Sequence, residues 1–246
     1  MDIELWQLAI YFFVVALVYG SAGFGGGSSY LAILALTAIP FIEIRMLALL
    51  CNVAVVTGSV YLTWRSKLLD LNRVLPLVFL SIPCAYIAGT IAIKEQIFFY
   101  LLGITLIIAA TLMLIPKFAR SDRSEYRQSH LLNAIIGGSI GFLSGMVGIG
   151  GGIFLSPILY LTGWGRAKVI AATTAFFILV NSIAGLAGQI YTNGWVLNST
   201  EVIVLIIAVI IGGQLGIRLT INRLSPITVK RVTAVLILIV AVRLLM

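Results

Sequence analysis

Two glycine clusters, one in each half of the sequence, decide how this chain folds. Residues 20–27 read GSAGFGGG, and 125 positions later residues 145–152 read GMVGIGGG. Over the 18 positions that start at each cluster, nine residues are identical. With a short gap, Asn52 then aligns near Asn181, each in the apolar run that follows its cluster. An internal duplication is the economical explanation, so the fold is expected to consist of two related halves.

The composition places both halves in a membrane. Of the 246 residues, 61% are apolar and only 10% are charged, and the mean hydropathy is +1.15. A soluble domain is about 45–50% apolar and about 25% charged. The few charged side chains cannot cover a water-facing surface, which excludes soluble enzymes, nucleic-acid-binding proteins and disordered chains. The net charge of +8 is therefore interpreted as loop charge that faces an anionic membrane surface.

The apolar segments are long runs without two-residue alternation, so they predict helices rather than a barrel. A spanning helix needs about 20 residues, with a range of roughly 17–25. Two runs, Tyr30–Ile39 and Ile153–Leu161, are too short to cross, and each follows a glycine cluster. The runs that come near spanning length are Leu5–Tyr19, Met46–Trp64, Val74–Ile93, Ile97–Ile115, Leu131–Val147, Val169–Ile190, Val202–Ile217 and Val229–Met246. A polar stretch divides the chain into a first membrane repeat (1–116), a cytoplasmic linker (117–130) and a second membrane repeat (131–246).

The basic residues favour one arrangement of these runs. If all eight long runs cross and the short ones are ignored, alternate loops carry equal numbers of Lys and Arg. If each glycine cluster is instead the tip of a hairpin that returns to the side it entered from, 13 of the 16 basic residues collect on one side. Those residues are Arg65, Lys67, Arg73, Lys117, Arg120, Arg123, Arg127, Arg166, Lys168, Arg218, Arg223, Lys230 and Arg231. Cytoplasmic loops are enriched in Lys and Arg, so the hairpin model is favoured, and it leaves Arg45, Lys94 and the terminal Arg243 outside.

The predicted fold class is therefore an all-α polytopic membrane protein with about eight helices counted as transmembrane. Each repeat contains three spanning helices plus a glycine-tipped broken or re-entrant helical hairpin. Because three is an odd number, the second repeat is inverted relative to the first. The expected location is the cell (plasma) membrane, with both ends of the chain outside.

The glycine clusters need a physical reason, because each glycine costs a helix about 1 kcal/mol relative to alanine. Non-helical backbone is tolerated at membrane depth only where protein or a water-filled cavity receives it. One interpretation is a substrate site, in which short helices that begin near Ser28 and Ile153 point their N-terminal N–H groups at an anion. The alternative is close packing of helices through small residues. The site interpretation selects as substrate-binding residues Gly23, Gly25, Gly26, Gly27, Ser28, Asn52, Gly148, Gly150, Gly151, Gly152, Asn181, Ser182 and Gln214.

The charged residues narrow the choice of ligand. All eight acidic residues fall at run ends or in loops, and intramembrane carboxylates are the usual proton relays and cation ligands. This pattern argues against a cation substrate, a metal carrier and a carboxylate-driven proton pump, and it leaves open a Na⁺ site made of carbonyl groups. The polar groups at depth are neutral, which suits an anion that must also leave again. The runs contain no catalytic cluster, so an enzyme is not expected, and neither is a metal or cofactor. The expected partners are a small anion and the lipid bilayer, without nucleic acid, and the oligomeric state stays open.

The pattern G-x-x-G-x-G-G-G, present at Gly20–Gly27 and again at Gly145–Gly152, resembles the TauE/SafE family of membrane transporters. The second copy continues as FLSPIL over 154–159, which is similar to that family's glycine cluster followed by a proline and leucines. The segment GGQLGIR over 212–218 is similar as well. The first copy departs from the pattern, since Ala32 stands at the position of Pro157.

This resemblance covers nearly the whole chain and both repeats. It implies export or uptake of small sulfur-containing anions such as sulfite, sulfoacetate or a related organosulfonate. Export is the expected direction, because an anion that leaves a cell that is negative inside gains free energy and needs no coupled ion. The alternatives are uptake of such anions coupled to H⁺ or Na⁺, and a membrane partner protein that transports nothing.

The hairpin model predicts opposite locations for Ser124 and Asn198. In a background without Cys51 and Cys84, a cysteine at position 124 should react only with reagents that cross the membrane. A cysteine at position 198 should react from outside intact cells. Labelling of position 124 by an impermeant reagent would contradict the model.

Overall fold

The computed structural model describes residues 4–21, 23–37, 39–114 and 129–222, together with Leu238 and Val242. Within these ranges the chain forms nine numbered helices and no strand. The first half contains α1 (Leu5–Ser21), α2 (Gly27–Leu34), α3 (Phe41–Arg65), α4 (Leu71–Thr90) and α5 (Glu95–Leu114). The second half contains α6 (His130–Val147), α7 (Gly152–Leu161), α8 (Ala167–Asn193) and α9 (Ser199–Asn222).

Five of these helices are long and apolar enough to span a bilayer, namely α3, α4, α6, α8 and α9. This confirms a helical membrane protein with several spans. The predicted total of eight transmembrane helices and the inverted relation of the halves stay predictions. The last predicted run, Val229–Met246, lies outside the described residues apart from Leu238 and Val242. The predicted linker also lies outside them, except for Ser129, which caps α6, and His130, the first residue of that helix.

The two halves exchange helices. At the centre, α3 of the first half packs against α8 of the second half. On one side α4 packs against both α8 and α6, and on the other side α9 packs against both α3 and α1. The first helix of each half is therefore held mainly by the other half, so the two repeats form one bundle rather than two.

Glycines set the distance between α4 and α6. A Cβ added at Gly141 would lie 2.5 Å from the carbonyl oxygen of Ser81, which leaves no room for a side chain. The same arrangement repeats at Gly137 against Leu77 and at Gly145 against Ala85. These contacts advance by four residues along both helices, so α4 and α6 run parallel. Small residues allow this close approach, as is usual between helices in lipid.

The short helix α7 runs back toward the start of α6. The guanidinium of Arg73, in the first turn of α4, lies 4.8 Å from the centroid of the Trp164 ring, and Trp164 follows α7. Because α6 runs parallel to α4, the start of α6 lies at the same end of the bundle. The α6–α7 pair is therefore a hairpin, and its turn is the second glycine cluster.

The α4–α6 contact generates a prediction on stability. Gly141→Ala should force the helices apart, and overpacking of this kind costs about 1–3 kcal/mol. The melting temperature of the detergent-solubilised protein should fall by several degrees. The matched control is Gly165→Ala, because a Cβ at Gly165 would lie 3.5 Å or more from its neighbours. Equal melting temperatures for the two variants would contradict the close packing.

Candidate functional site

Two backbone breaks create the candidate site. Helix α1 ends at Ser21 and α2 begins at Gly27, while α6 ends at Val147 and α7 begins at Gly152. The residues at the two N-caps are Gly26, with φ 88°, and Gly151, with φ 81°. Residues with a side chain rarely adopt this left-handed backbone conformation, which explains why both positions are glycine. We call residues 23–27 the first glycine loop and residues 148–152 the second glycine loop.

The side chain of Asn52 lies between the two glycine loops. It is fully buried in the middle of α3. Its Nδ2 donates a hydrogen bond to the carbonyl oxygen of Ile149, in the second loop, at 2.9 Å. In the first loop, its amide fills the places that side chains would take at Gly25 and Gly27. The Asn52 side chain thus touches both loops. A methyl group at Gly25 or Gly27 would displace it.

The second loop has no amide of its own in the equivalent place. Gly152 faces Ile178 of α8 as Gly27 faces Asn52 of α3. The residue that matches Asn52 is therefore Ile178, and the sequence alignment of Asn52 with Asn181 was wrong by three residues. The physical reason is that α3 and α8 begin 126 residues apart, at Phe41 and Ala167, close to the spacing of the glycine clusters.

Hydroxyl groups surround the loops unevenly. Ser28, in the first turn of α2, is buried, and its Oγ finds no hydrogen-bond partner within the described part of the chain. Ser29 donates to the Tyr19 hydroxyl at 2.7 Å. On the second-loop side, Ser182 Oγ is also buried without a partner among the described residues, and a Cβ at Gly150 would lie 2.8 Å from it.

The other predicted site residues lie farther from the contact between Asn52 and the two glycine loops. Asn181 is buried, but its Nδ2 donates to the carbonyl oxygen of Phe177 in its own helix at 2.8 Å. Gln214 of α9 packs against Gly58 of α3, six residues beyond Asn52. At the outer ends of the loops, Gly23 faces Ala171 of α8 and Gly148 faces Arg45 of α3.

At the N-caps, a side chain at Gly26 would point back toward α1 and α2, whereas one at Gly151 would meet α8 as well as α6. A Cβ at Gly26 would meet Tyr30 and Val15, and one at Gly151 would meet Phe177 and Ile140. The residues that meet at the centre are therefore Gly25, Gly27, Asn52, Gly150, Gly152, Ile178 and Ser182.

The expectation that every polar group at depth is neutral was wrong, because Arg45 is buried inside the bundle. Its side chain is 3% exposed. The hairpin model placed Arg45 in an outer loop, because this residue lies just before an apolar run. Two signals were available: apolar neighbours at Ile44 and Met46, and a spacing of seven residues, two helical turns, before Asn52.

The described acidic residues lie just before helices or in their first turns. Asp70 precedes α4, Glu4 precedes α1, and Glu43, Glu95 and Glu201 lie in the first turns of their helices. Within the described ranges, no group of three or more His, Cys, Asp or Glu side chains could hold a metal ion. What the loops offer is hydrogen-bond donors, including the N–H groups of the first two residues of α2 and of α7, which have no carbonyl partner within their own helices.

Comparisons with known proteins identify the family to which the chain belongs. A family model described as Sulfite exporter TauE/SafE matches residues 8–244. A protein of Sinorhizobium fredii named "Probable membrane transporter protein" is 32% identical over 256 residues, covering 100% of both chains. A protein of Methanocaldococcus jannaschii with a similar name is 31% identical over 158 residues, covering 60% of this chain and 58% of that protein.

No solved structure has a significant match to the chain. The family model, the full-length relative and the five apolar helices agree with one another. The chain therefore belongs to the TauE/SafE family, as a multi-pass membrane transporter rather than an enzyme.

Proposed function

We propose that this transporter carries small sulfur-containing oxyanions, such as sulfite or a short organosulfonate, out of the cell. The observation that carries the proposal is the meeting of the two glycine loops on Asn52. The sulfur class comes from the description of the family, and the choice of an anion comes from the chemistry at the loops.

The groups at the loops favour negative charge. The positive ends of the α2 and α7 dipoles point toward the loops, and helix N-termini are common anion-binding sites. Ser28 and Ser182 add buried hydroxyl donors that find no partner among the described residues. No described carboxylate lies at the loops to repel an anion or to bind a proton. A small oxyanion between the loops would accept hydrogen bonds from these groups.

The arrangement of helices supports alternating access. Partners are exchanged in a symmetric manner, α4 with α6 and α9 with α1, while α3 and α8 meet at the centre. This pattern supports two inverted repeats related by a pseudo-two-fold axis that passes near Asn52. Inverted repeats with broken helices at the bilayer midplane can open to one side and then to the other around a fixed site.

Energetics supports export. A cell is negative inside, and one charge that crosses 100 mV gains or loses about 2.3 kcal/mol. An anion that leaves the cytoplasm gains this free energy, so export needs no coupled ion. Uptake would oppose it and would require a proton or Na⁺. The basic residues that the hairpin model assigns to the cytoplasmic side would also raise the local concentration of anions there.

The site proposal predicts the effect of a charge at Asn52. Asn52→Asp removes the donor to Ile149 and adds a negative charge where the anion binds. Like charges in close contact cost several kcal/mol, so sulfite flux in proteoliposomes should fall at least about tenfold.

The matched control for Asn52→Asp is Asn193→Asp, the same change at the end of α8, where Asn193 Nδ2 donates to the carbonyl oxygen of Gln189. Both variants must first be shown to insert and to purify as folded protein. Wild-type flux in a folded Asn52→Asp variant would contradict the proposal that the substrate binds beside Asn52.

The direction proposal predicts electrogenic transport. Liposomes loaded with sulfite should release it in proportion to an imposed membrane potential and independently of pH and Na⁺ gradients. Transport that stops without Na⁺ or a proton gradient would establish coupled uptake instead. Flux of no anion across a wide panel would favour a membrane partner protein that transports nothing.

A further inference from the structure

Arg45 is a buried cation in the second turn of α3. Its Nη2 donates to the carbonyl oxygen of Gly145 at 3.2 Å, and its guanidinium lies 5.9 Å from the centroid of the Phe98 ring. Its Nε is buried and finds no hydrogen-bond partner in the part of the chain that the structure describes. Neither a carbonyl oxygen nor an aromatic face carries a full negative charge. These contacts therefore orient the guanidinium without neutralising it.

Such a group is costly to maintain. A charged side chain inside a membrane protein is rare, and it usually marks the path of an ion or substrate. Gly145 lies in the last turn of α6, where carbonyl groups favour a cation, and this explains one of the two contacts. It does not explain the free Nε or the remaining charge. A guanidinium has five N–H donors in a planar fork, which matches an oxyanion with two oxygens side by side.

The position of Arg45 connects it to the glycine loops. Arg45 and Asn52 are separated by seven residues, so they lie on the same face of α3, about 10 Å apart along its axis. Both contact the second glycine loop: Asn52 bonds Ile149, and a Cβ at Gly148 would lie 3.4 Å from the Arg45 carbonyl oxygen. Arg45 is therefore the buried charged group beside this loop among the described residues, two residues after the partly exposed Glu43 in the first turn of α3.

The other half does without this charge. In the first loop, Gly23 packs against Ala171 of α8 as Gly148 packs against Arg45 of α3. An alanine thus suffices to support a glycine loop and its preceding helix. If the role of Arg45 were packing alone, the matching loop would be expected to need a similar side chain. The buried cation is present beside the second glycine loop and has no counterpart at the matching position beside the first. The electrostatic surroundings of the two loops therefore differ.

We propose that Arg45 is the anion-selecting residue of this transporter. Its guanidinium pairs with two oxygens of the substrate as the anion moves between the glycine loops and the side where α3 begins. The inference rests on the proposed function, because it adds a charged second position to the same path. It selects for oxyanions that carry a full negative charge over neutral molecules of similar size.

The experiment compares Arg45→Gln, Arg45→Lys and Arg65→Gln with the wild type. Arg65→Gln removes the same charge from the same helix at an exposed position, the last residue of α3. Two quantities are measured on purified protein: KM and maximal rate of sulfite flux in proteoliposomes, and the rise in melting temperature that sulfite causes in detergent. The second measurement reports binding without requiring transport.

We expect Arg45→Gln to raise the KM for sulfite at least about tenfold and to lose the stabilisation by sulfite. Arg45→Lys keeps the charge and should retain most of both. Arg65→Gln removes only one of the 13 basic residues assigned to the cytoplasmic side, so it should change both quantities far less than Arg45→Gln. If Arg45 only fastens α6, both Arg45 variants will melt earlier while the KM for sulfite and the stabilisation by sulfite stay unchanged, and the proposal is then wrong.

The remaining outcomes separate this proposal from the proposed function. Wild-type flux that does not depend on the charge at position 45 overturns the role of Arg45 and leaves sulfite transport intact. Stabilisation by sulfite that requires Arg45, without any flux, supports the binding position and overturns the transport proposal. Neither flux nor stabilisation in the wild type overturns both.

Discussion

The hydrogen bond from Asn52 to the backbone of the second glycine loop is the interaction on which the centre of this protein depends. A break in a membrane helix leaves backbone groups without partners, and hydrocarbon cannot supply them. The chain brings two breaks together and puts one buried amide between them. The amide donates a hydrogen bond to the second loop and packs against the glycines of the first, so both breaks meet on one side chain of α3. The close fit around this amide, together with the left-handed backbone at Gly26 and Gly151, explains why the clusters are glycine.

Much of this arrangement could be predicted from the sequence. Apolar runs gave the positions of the spanning helices, because few residues other than apolar ones tolerate lipid. The consecutive glycines of 25–27 and 150–152 gave the breaks, because left-handed backbone angles leave few other residues acceptable. The short helices begin at Gly27 and Gly152, within one residue of the expected starts at Ser28 and Ile153. Features set by strong local constraints, which act within a few residues, could therefore be predicted from the sequence.

The failures concern which residues face each other. An alignment with a free gap matched Asn52 with another asparagine, whereas the structure matches it with Ile178, because helix faces and not residue identities fix the register. Arg45 looked like a loop charge because its burial depends on α5 and α6, which lie far away in sequence. The exchange of helices between the halves was not predicted either. Membrane helices are apolar on most sides, so their sequences carry little information about which neighbour they choose.

The exchange of helices has a consequence for biosynthesis. The ribosome completes α1 201 residues before it completes α9, the helix that α1 packs against, since α1 ends at Ser21 and α9 at Asn222. Until then α1 has lipid or the insertion machinery as its neighbour, and the first glycine loop lacks its final surroundings. The first half cannot reach its native packing as it emerges, as sequential domains do during synthesis. Assembly therefore waits for the second half, and a chain truncated before α9 would leave its first hairpin without the helix that holds it.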